Sequence, residues 1–267
     1  MLWRDAPQYG GIPFPYREQV AKLVRHHGLP LWLLDKADPS RAVAAASQAA
    51  RLDHVALLAE ADVRGRVCAD QDELLARIDL FRQHGAELGC LTQPRAFASA
   101  HSRFAYFRNP DATLHYDAYD DTRFEVIMLC GLPAAGKDTW VRRHASRLPS
   151  IALDAIRTEL GSAPTERPGQ VVLVAKRRAR ELLHQQQPFV WNATNITRRL
   201  RRQLIDFFAG YGARVRIVYV DAPFDVLLRR NRARPDPVPE PVIACMLQIF
   251  ELPDPTEAHH VDYVWSE

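Results

Sequence analysis

The spacing of apolar residues divides the chain into regions of different character. From Tyr16 to about residue 91, apolar side chains recur every three or four positions, in YREQVAKLVRHH, SRAVAAASQAARLDHVALLAEADVRG and DQDELLARIDLFRQHG. This period is that of amphipathic α-helices. Ser40 and Asp70 are predicted helix N-caps, and Gly85 is a predicted helix end. Residues 1–91 are therefore predicted to form an all-helical domain.

The stretch from residue 92 to residue 122 does not follow this helical pattern. It loses the helical period and mixes aromatic residues with turn formers. Its aromatic content favours packing against neighbouring structure over a flexible linker. We interpret residues 92–122 as a connector between two domains.

Residues 123–267 alternate strand-like and helix-like patterns. Short apolar runs occur at FEVIMLC, SIALD, PFVWN, VRIVYVD and VDYVW, with helical stretches between them. This alternation is typical of a mostly parallel sheet with helices on both faces. The pattern predicts one α/β domain with five strands.

Length and composition allow either two folded domains or one large one, in the cytoplasm. Apolar residues make up 47% of the 267 residues, which is enough for a substantial core. No stretch approaches the roughly 18 uninterrupted apolar residues of a membrane helix, so no membrane partner is expected. The four cysteines lie far apart without a CxxC pair, which argues against a disulfide framework and fits a reducing compartment.

Positive charge is concentrated in the second half of the chain. Residues 1–122 hold 14 Lys/Arg against 16 Asp/Glu, whereas residues 123–267 hold 21 against 16. The excess is almost entirely arginine, which suits phosphate contacts. Either a nucleic-acid-binding surface or a general preference for arginine would explain this excess. The basic stretches KRRAR and RRLRR are the candidate strand contacts, which predicts an oligonucleotide affinity that falls with rising salt.

The first strand of the α/β region runs directly into GLPAAGKDTW, which has the pattern of a phosphate-binding loop. Gly131 and Gly136 allow the backbone amides and the next helix N-terminus to face an anion, and Lys137 adds a charge for the β- and γ-phosphates of ATP. Asp138 stands where Ser or Thr is usual. Thr139, one position later, is then the candidate ligand for Mg²⁺.

A candidate acceptor side follows the second predicted strand, which ends in LDAIR. Side chains at the carboxyl end of a parallel strand point into the ligand crevice. Asp154 is placed there to accept the proton of an attacking hydroxyl, and Arg157, one helical turn away, to neutralise a phosphate on the acceptor. The alternative is an Asp N-cap with a surface arginine.

Two further groups of polar residues follow later strands. Asn192, Thr194 and Asn195 in WNATN either orient water, metal or phosphate, or cap the next helix. In LLRRNRARPDPVPEPVI, arginines precede a proline-rich turn, and Arg230 and Arg234 lie one helical turn apart. Arginines on a mobile lid would screen the charge of phosphoryl transfer. A solvated helix end is the alternative.

These motifs, in this order, resemble the kinase domain of the 5′-polynucleotide kinase family over about residues 124–265. The resemblance implies an α/β P-loop kinase domain with an arginine-rich lid, using ATP and Mg²⁺. It also implies that Asp154 is the general base, that Arg157 engages the acceptor's phosphate, and that Arg230 and Arg234 clamp the ATP phosphates. Asp138 departs from the family's usual Ser.

The helical region has its own resemblance. LVRHHGLP followed by LLAEADVRGR is similar to the later part of the HD phosphohydrolase domain, and His26 or His27 and Asp62 would match late metal-site positions. The family's first histidine and its His-Asp doublet have no counterpart here. We therefore interpret residues 1–91 as a truncated, structural HD-like domain, and residues 123–267 as the kinase domain.

The function expected from the sequence is transfer of the ATP γ-phosphate to the 5′-hydroxyl end of RNA or DNA, as in end healing. Two alternatives stay open, because one fold hosts many acceptors. The first is a kinase of a small molecule such as a nucleoside or a sugar. The second is an ATP-gated nucleic-acid-binding module without catalysis.

Overall fold

The computed structural model describes residues 13–161 and 168–265. They divide into two compact units, one of residues up to Asp117 and one from Ala118 onward. Each unit has its own buried core, and the two are described in turn.

The first unit is all-helical, as its apolar period predicted. Its core is made of side chains from the central helices, including Val43, Leu52, Val55, Ile78 and Phe81, all fully buried. The helices are α1 (Phe14–His26), α2 (Pro39–Ser47), α3 (Leu52–Arg64), α4 (Gln71–Glu87) and α5 (Ala100–Arg108).

Two of the three predicted helix ends in this unit differ from the structure, and the third, Asp70, holds the N-cap position without the expected hydrogen bond. Asp38, not Ser40, caps α2, and its carboxylate accepts the Arg41 amide at 2.8 Å. Gly85 lies inside α4, which continues to Glu87.

The predictions for two longer segments, residues 40–65 and the connector, also differ from the structure. The stretch 40–65, which the period suggested as one helical run, forms two helices because the chain leaves the helix between Ser47 and Leu52. The connector contains the helix α5, which Ser99 caps by accepting the Ser102 amide.

The second unit is the predicted five-stranded α/β domain. The strands pair in the order β2-β3-β1-β4-β5, and every pair is parallel. The fold class predicted from the sequence is therefore confirmed. The strands are β1 (Phe124–Cys130), β2 (Ser150–Ala152), β3 (Phe189–Asn192), β4 (Ala213–Asp221) and β5 (His260–Trp265).

Helices cover both faces of this sheet. On one face, Trp140, Leu227 and Ile243 from three helices pack in one cluster with apolar residues of the strands. On the other face, Phe208 packs edge-on against Phe189 and Trp191 of β3. The helices are α6 (Lys137–His144), α7 (Leu153–Glu159), α8 (Pro168–His184), α9 (Arg198–Ala209), α10 (Phe224–Arg232) and α11 (Glu240–Gln248).

The end of β2 matters for the site. The sequence predicted a strand through Asp154, but β2 ends at Ala152 and α7 begins at Leu153. Asp154 therefore lies in the first turn of a helix at the carboxyl edge of the sheet. That edge is where open α/β sheets bind their ligands.

No helix in the described parts of the chain combines the length and the apolar content needed to cross a membrane.

Candidate active site

The loop between β1 and α6 has the backbone that its glycines predicted. Gly131 and Gly136 have φ of 146° and 110°, a region that side chains rarely adopt. A Cβ at Gly131 would lie 2.4 Å from the Val220 carbonyl oxygen of β4. The Gly131 amide donates to the Thr194 carbonyl at 2.9 Å. The loop is therefore fixed against β4 on one side of β1 and against the segment after β3 on the other.

Lys137 folds back over this loop. Its Nζ donates to the carbonyl oxygens of Gly131 at 3.0 Å and Leu132 at 2.8 Å. Burial lowers the pKa of Lys137 to about 8, against the opposing effects of Asp138 and Asp154. The ammonium group thus lies inside the loop, within electrostatic reach of both carboxylates.

This lowered pKa predicts a pH-dependent affinity for ATP. Phosphates favour the charged lysine, so bound ATP raises the Lys137 pKa and binding above pH 8 requires proton uptake. ATP affinity should be constant below about pH 8 and fall above it, by up to about tenfold per pH unit. Titration between pH 7 and pH 9.5 measures this. In Lys137→Arg, which stays charged, the fall should vanish; if it persists, another group is titrating.

Asp138 contacts the end of the neighbouring strand. Its carboxylate is exposed, and Oδ1 accepts a hydrogen bond from Asn192 Nδ2 at 2.6 Å. The Thr139 hydroxyl, the predicted magnesium ligand, accepts from Arg142 Nη2 at 3.0 Å. The Asp138 carboxylate and the Thr139 hydroxyl thus place oxygen atoms beside the loop.

Asp154 lies between two arginines. Its Oδ1 accepts from Arg157 Nη1 at 2.6 Å, and its Oδ2 is 3.6 Å from Arg234 Nη2. The side chain is 72% exposed and makes no capping bond to α7. The structure therefore brings the predicted base and the predicted lid arginine together. Asp154 does not cap α7, which was the alternative role predicted for it.

The other lid arginine lies over the phosphate loop. Arg230 Nη1 is 3.9 Å from the position that a Cβ at Gly136 would take. Arg230 and Arg234 thus approach two parts of the same site, the loop and Asp154. Both come from the end of α10 and the residues directly after it.

The three polar residues of WNATN have separate roles. Asn195 is buried, and its Nδ2 donates to the Leu129 carbonyl at 2.6 Å. The Thr194 carbonyl accepts the hydrogen bond of the Gly131 amide in the phosphate loop. Neither caps α9, because Thr197 does so by accepting the Leu200 amide at 3.3 Å. Only Asn192 of the three turns its side chain to Asp138.

The sequence interpretation missed a buried ion pair under the loop. Arg201 is fully buried and makes two hydrogen bonds to Glu257, at 2.7 and 2.8 Å. Its Nη1 also donates to the carbonyls of Asn195 and Glu251. The assignment of Arg201 in RRLRR to strand contacts was therefore wrong. The helical period could have predicted the burial of Arg201, because Arg201 lies on the same face of α9 as Leu204, Ile205 and Phe208.

The cysteine at the end of β1 belongs to this network. Cys130 Sγ lies 3.9 Å from Arg201 Nη1 and donates to the Asn195 carbonyl at 3.3 Å. Burial raises the pKa of the Cys130 thiol to about 12. The thiol is therefore neutral and serves packing.

The residues matched to the HD resemblance do not converge on a metal site. His27 Nδ1 donates to the Val24 carbonyl at 2.6 Å, and Asp62 pairs with Arg66 four residues on. His26 is the last residue of α1. In the described parts of the chain, no group of three or more His, Cys, Asp or Glu side chains is placed to hold a metal ion.

Comparison with known proteins agrees with this fold. A protein-family profile described as an AAA domain matches residues 126–253, just under half of the chain. The match agrees with the parallel sheet order and the loop geometry, which give this domain the P-loop kinase fold.

Solved structures with partial likeness include three from bacteria. A proposed kinase from Chloroflexus aurantiacus J-10-fl is 19% identical over 54% of this chain and 86% of its own, with a TM-score of 0.45. A gluconokinase from Sinorhizobium meliloti 1021 is 19% identical over 54% and 84%, with a TM-score of 0.37. A sugar kinase from Janibacter sp. HTCC2649 is 17% identical over 54% and 86%, with a TM-score of 0.40. At these TM-scores, the likenesses assign no substrate.

Proposed function

We propose that this chain is an ATP-dependent kinase that phosphorylates a hydroxyl group of a small molecule, such as a sugar or a nucleoside. The observation that carries the proposal is the position of Asp154. It lies within electrostatic reach of the loop lysine and is paired with Arg157 and Arg234. Phosphoryl transfer depends on such positioning and charge screening.

Each group has a separate task in this reaction. The loop amides and Lys137 bind the β- and γ-phosphates, and Arg230 lies beside them. The acceptor oxygen forms a bond to the γ-phosphorus as the bond to the ADP oxygen breaks, and Asp154 takes the hydroxyl proton. Arg234 screens the charge between donor and acceptor, and Arg157 orients the acceptor.

Magnesium is expected to accompany ATP, as in other phosphoryl-transfer enzymes. The oxygen donors of Asp138 and Thr139 beside the loop suit this ion. When bound, Mg²⁺ would neutralise charge on the β- and γ-phosphate oxygens.

The contacts of the basic stretches favour a small acceptor over a polynucleotide. Arg178 pairs with Glu159, Arg198 with Asp254 and Arg201 with Glu257. Arg180 also lies over the Phe207 ring, so four of the eight charges in KRRAR and RRLRR make contacts within the unit.

A 5′-hydroxyl end of RNA or DNA is the second candidate acceptor. The observation that favours it is a set of exposed cations on α8 and α9, and α8 packs beside the helix that carries Asp154. Such cations bind phosphates along a strand. They are Arg177, Arg199 and Arg202.

Transfer of label from [γ-³²P]ATP separates these functions. The protein is incubated with Mg²⁺ and, in parallel, with sugars, nucleosides and 5′-hydroxyl oligonucleotides of RNA and DNA. We expect label on a sugar or a nucleoside, and none with Lys137→Ala. Label on oligonucleotides alone would establish the second candidate, and ATP binding without any transfer would leave a non-catalytic binding module.

A further inference from the structure

A hydrogen bond ties the residue after the loop lysine to the end of β3. Asp138 is the second residue of α6, and Asn192 is the last residue of β3, the strand next to β1. Asn192 is 8% exposed, and its Nδ2 reaches Asp138 Oδ1 at 2.6 Å. A buried amide thus holds an exposed carboxylate at the mouth of the phosphate loop.

These two positions have a known division of labour in P-loop NTPases. A hydroxyl directly after the lysine and an aspartate from a nearby strand together hold Mg²⁺. In this chain the loop position carries the carboxylate and the strand position carries the neutral group. Both arrangements contain one carboxylate and one neutral polar group, but in this chain the two have exchanged places.

The donor set fits an ion that arrives with its nucleotide. Magnesium typically binds through one or two carboxylates together with substrate phosphates and water. Asp138 offers that carboxylate, and the part of the chain that the structure describes holds no cluster of three acidic or imidazole ligands that would bind an ion alone.

We propose that Asp138 is the carboxylate that this protein directs to Mg²⁺·ATP, and that Asn192 positions it, in an exchange of the usual loop and strand roles. The inference rests on the proposed function, because it requires ATP on the loop. The proposed role has a consequence for the affinity of the protein for ATP. Without Mg²⁺, the Asp138 carboxylate repels the ATP phosphates; with Mg²⁺, the same carboxylate attracts the ion bound to them.

A purely structural role for Asp138 makes a different prediction. An acidic residue in the first helical turn stabilises α6 through the helix dipole. Replacing it would then lower stability without changing how strongly magnesium promotes ATP binding. The magnesium dependence of binding therefore separates the two roles.

The experiment measures the dissociation constant of ATP by calorimetry, in excess Mg²⁺ and in EDTA, and takes their ratio as the magnesium enhancement. Asp138→Ser should lower this enhancement by about 10- to 100-fold, as for other groups that hold or orient a metal. Asp138→Asn, which keeps the shape and the contact to Asn192, should do the same. The double variant Asp138→Ser/Asn192→Asp restores the usual arrangement and should recover most of the enhancement.

Glu181→Gln is the matched control, because it removes one exposed carboxylate from α8 of the same unit. It should leave the enhancement unchanged. An unchanged enhancement in Asp138→Ser and Asp138→Asn would overturn the proposal, as would a double variant no better than the single one. A wild-type protein that binds no ATP in either condition would instead refute the proposed function itself.

Discussion

Asp154→Asn should reduce the rate of phosphoryl transfer by about 10²- to 10⁴-fold, the usual contribution of a general base. The amide keeps the size of the side chain and can still contact Arg157, but it accepts no proton. ATP binding should be close to normal, because the loop and Lys137 make the main phosphate contacts. Single-turnover transfer and equilibrium ATP binding measure the two effects separately.

Two variants test whether the loss belongs to Asp154 itself. Glu159→Gln removes another carboxylate from the same helix, where it pairs with Arg178, and should leave turnover nearly unchanged. If Asp154 only anchors the lid through Arg234, Asp154→Asn should instead raise the KM for ATP and spare kcat. Turnover near the wild-type value would remove Asp154 as the base.

The sequence predicted the sheet and the phosphate loop well because both are encoded locally. Each strand is a short apolar run between turn residues, and the loop is one continuous segment after β1. Contacts within the site are not local. Asn192 reaches Asp138, and Arg234 reaches Asp154, only after the sheet brings separate elements together.

The differences in the helical unit have local physical causes. Pro39 occupies the first turn of α2, so the residue before it, Asp38, becomes the cap. Gly85 stays within α4 because it faces the core, where a Cβ would meet Leu91 and Leu52 at 3.5 and 3.7 Å. The helix α5 was missed because Phe104, Ala105, Tyr106 and Phe107 form an unbroken apolar run, which hides the helical period.

Glu257→Gln should cause the largest loss of stability of any single change considered. The Glu257 carboxylate is the charged partner of Arg201, and both side chains are almost fully buried, at 3% and 0% exposed. Removing one partner leaves a buried charge unpaired, which costs about 3–5 kcal/mol. The effect should extend to the site, because Arg201 also holds the Asn195 carbonyl beside the phosphate loop.

Chemical unfolding of the α/β unit, followed by tryptophan fluorescence and circular dichroism, measures this loss. Glu240→Gln breaks the exposed pair with Arg232 in the same unit, and it should leave the transition unchanged because exposed pairs contribute little. Arg201→Met/Glu257→Leu removes both charges, so it should be less destabilising than Glu257→Gln, since no buried charge is left alone. A Glu257→Gln protein as stable as the wild type would mean that the buried pair does not stabilise the α/β unit.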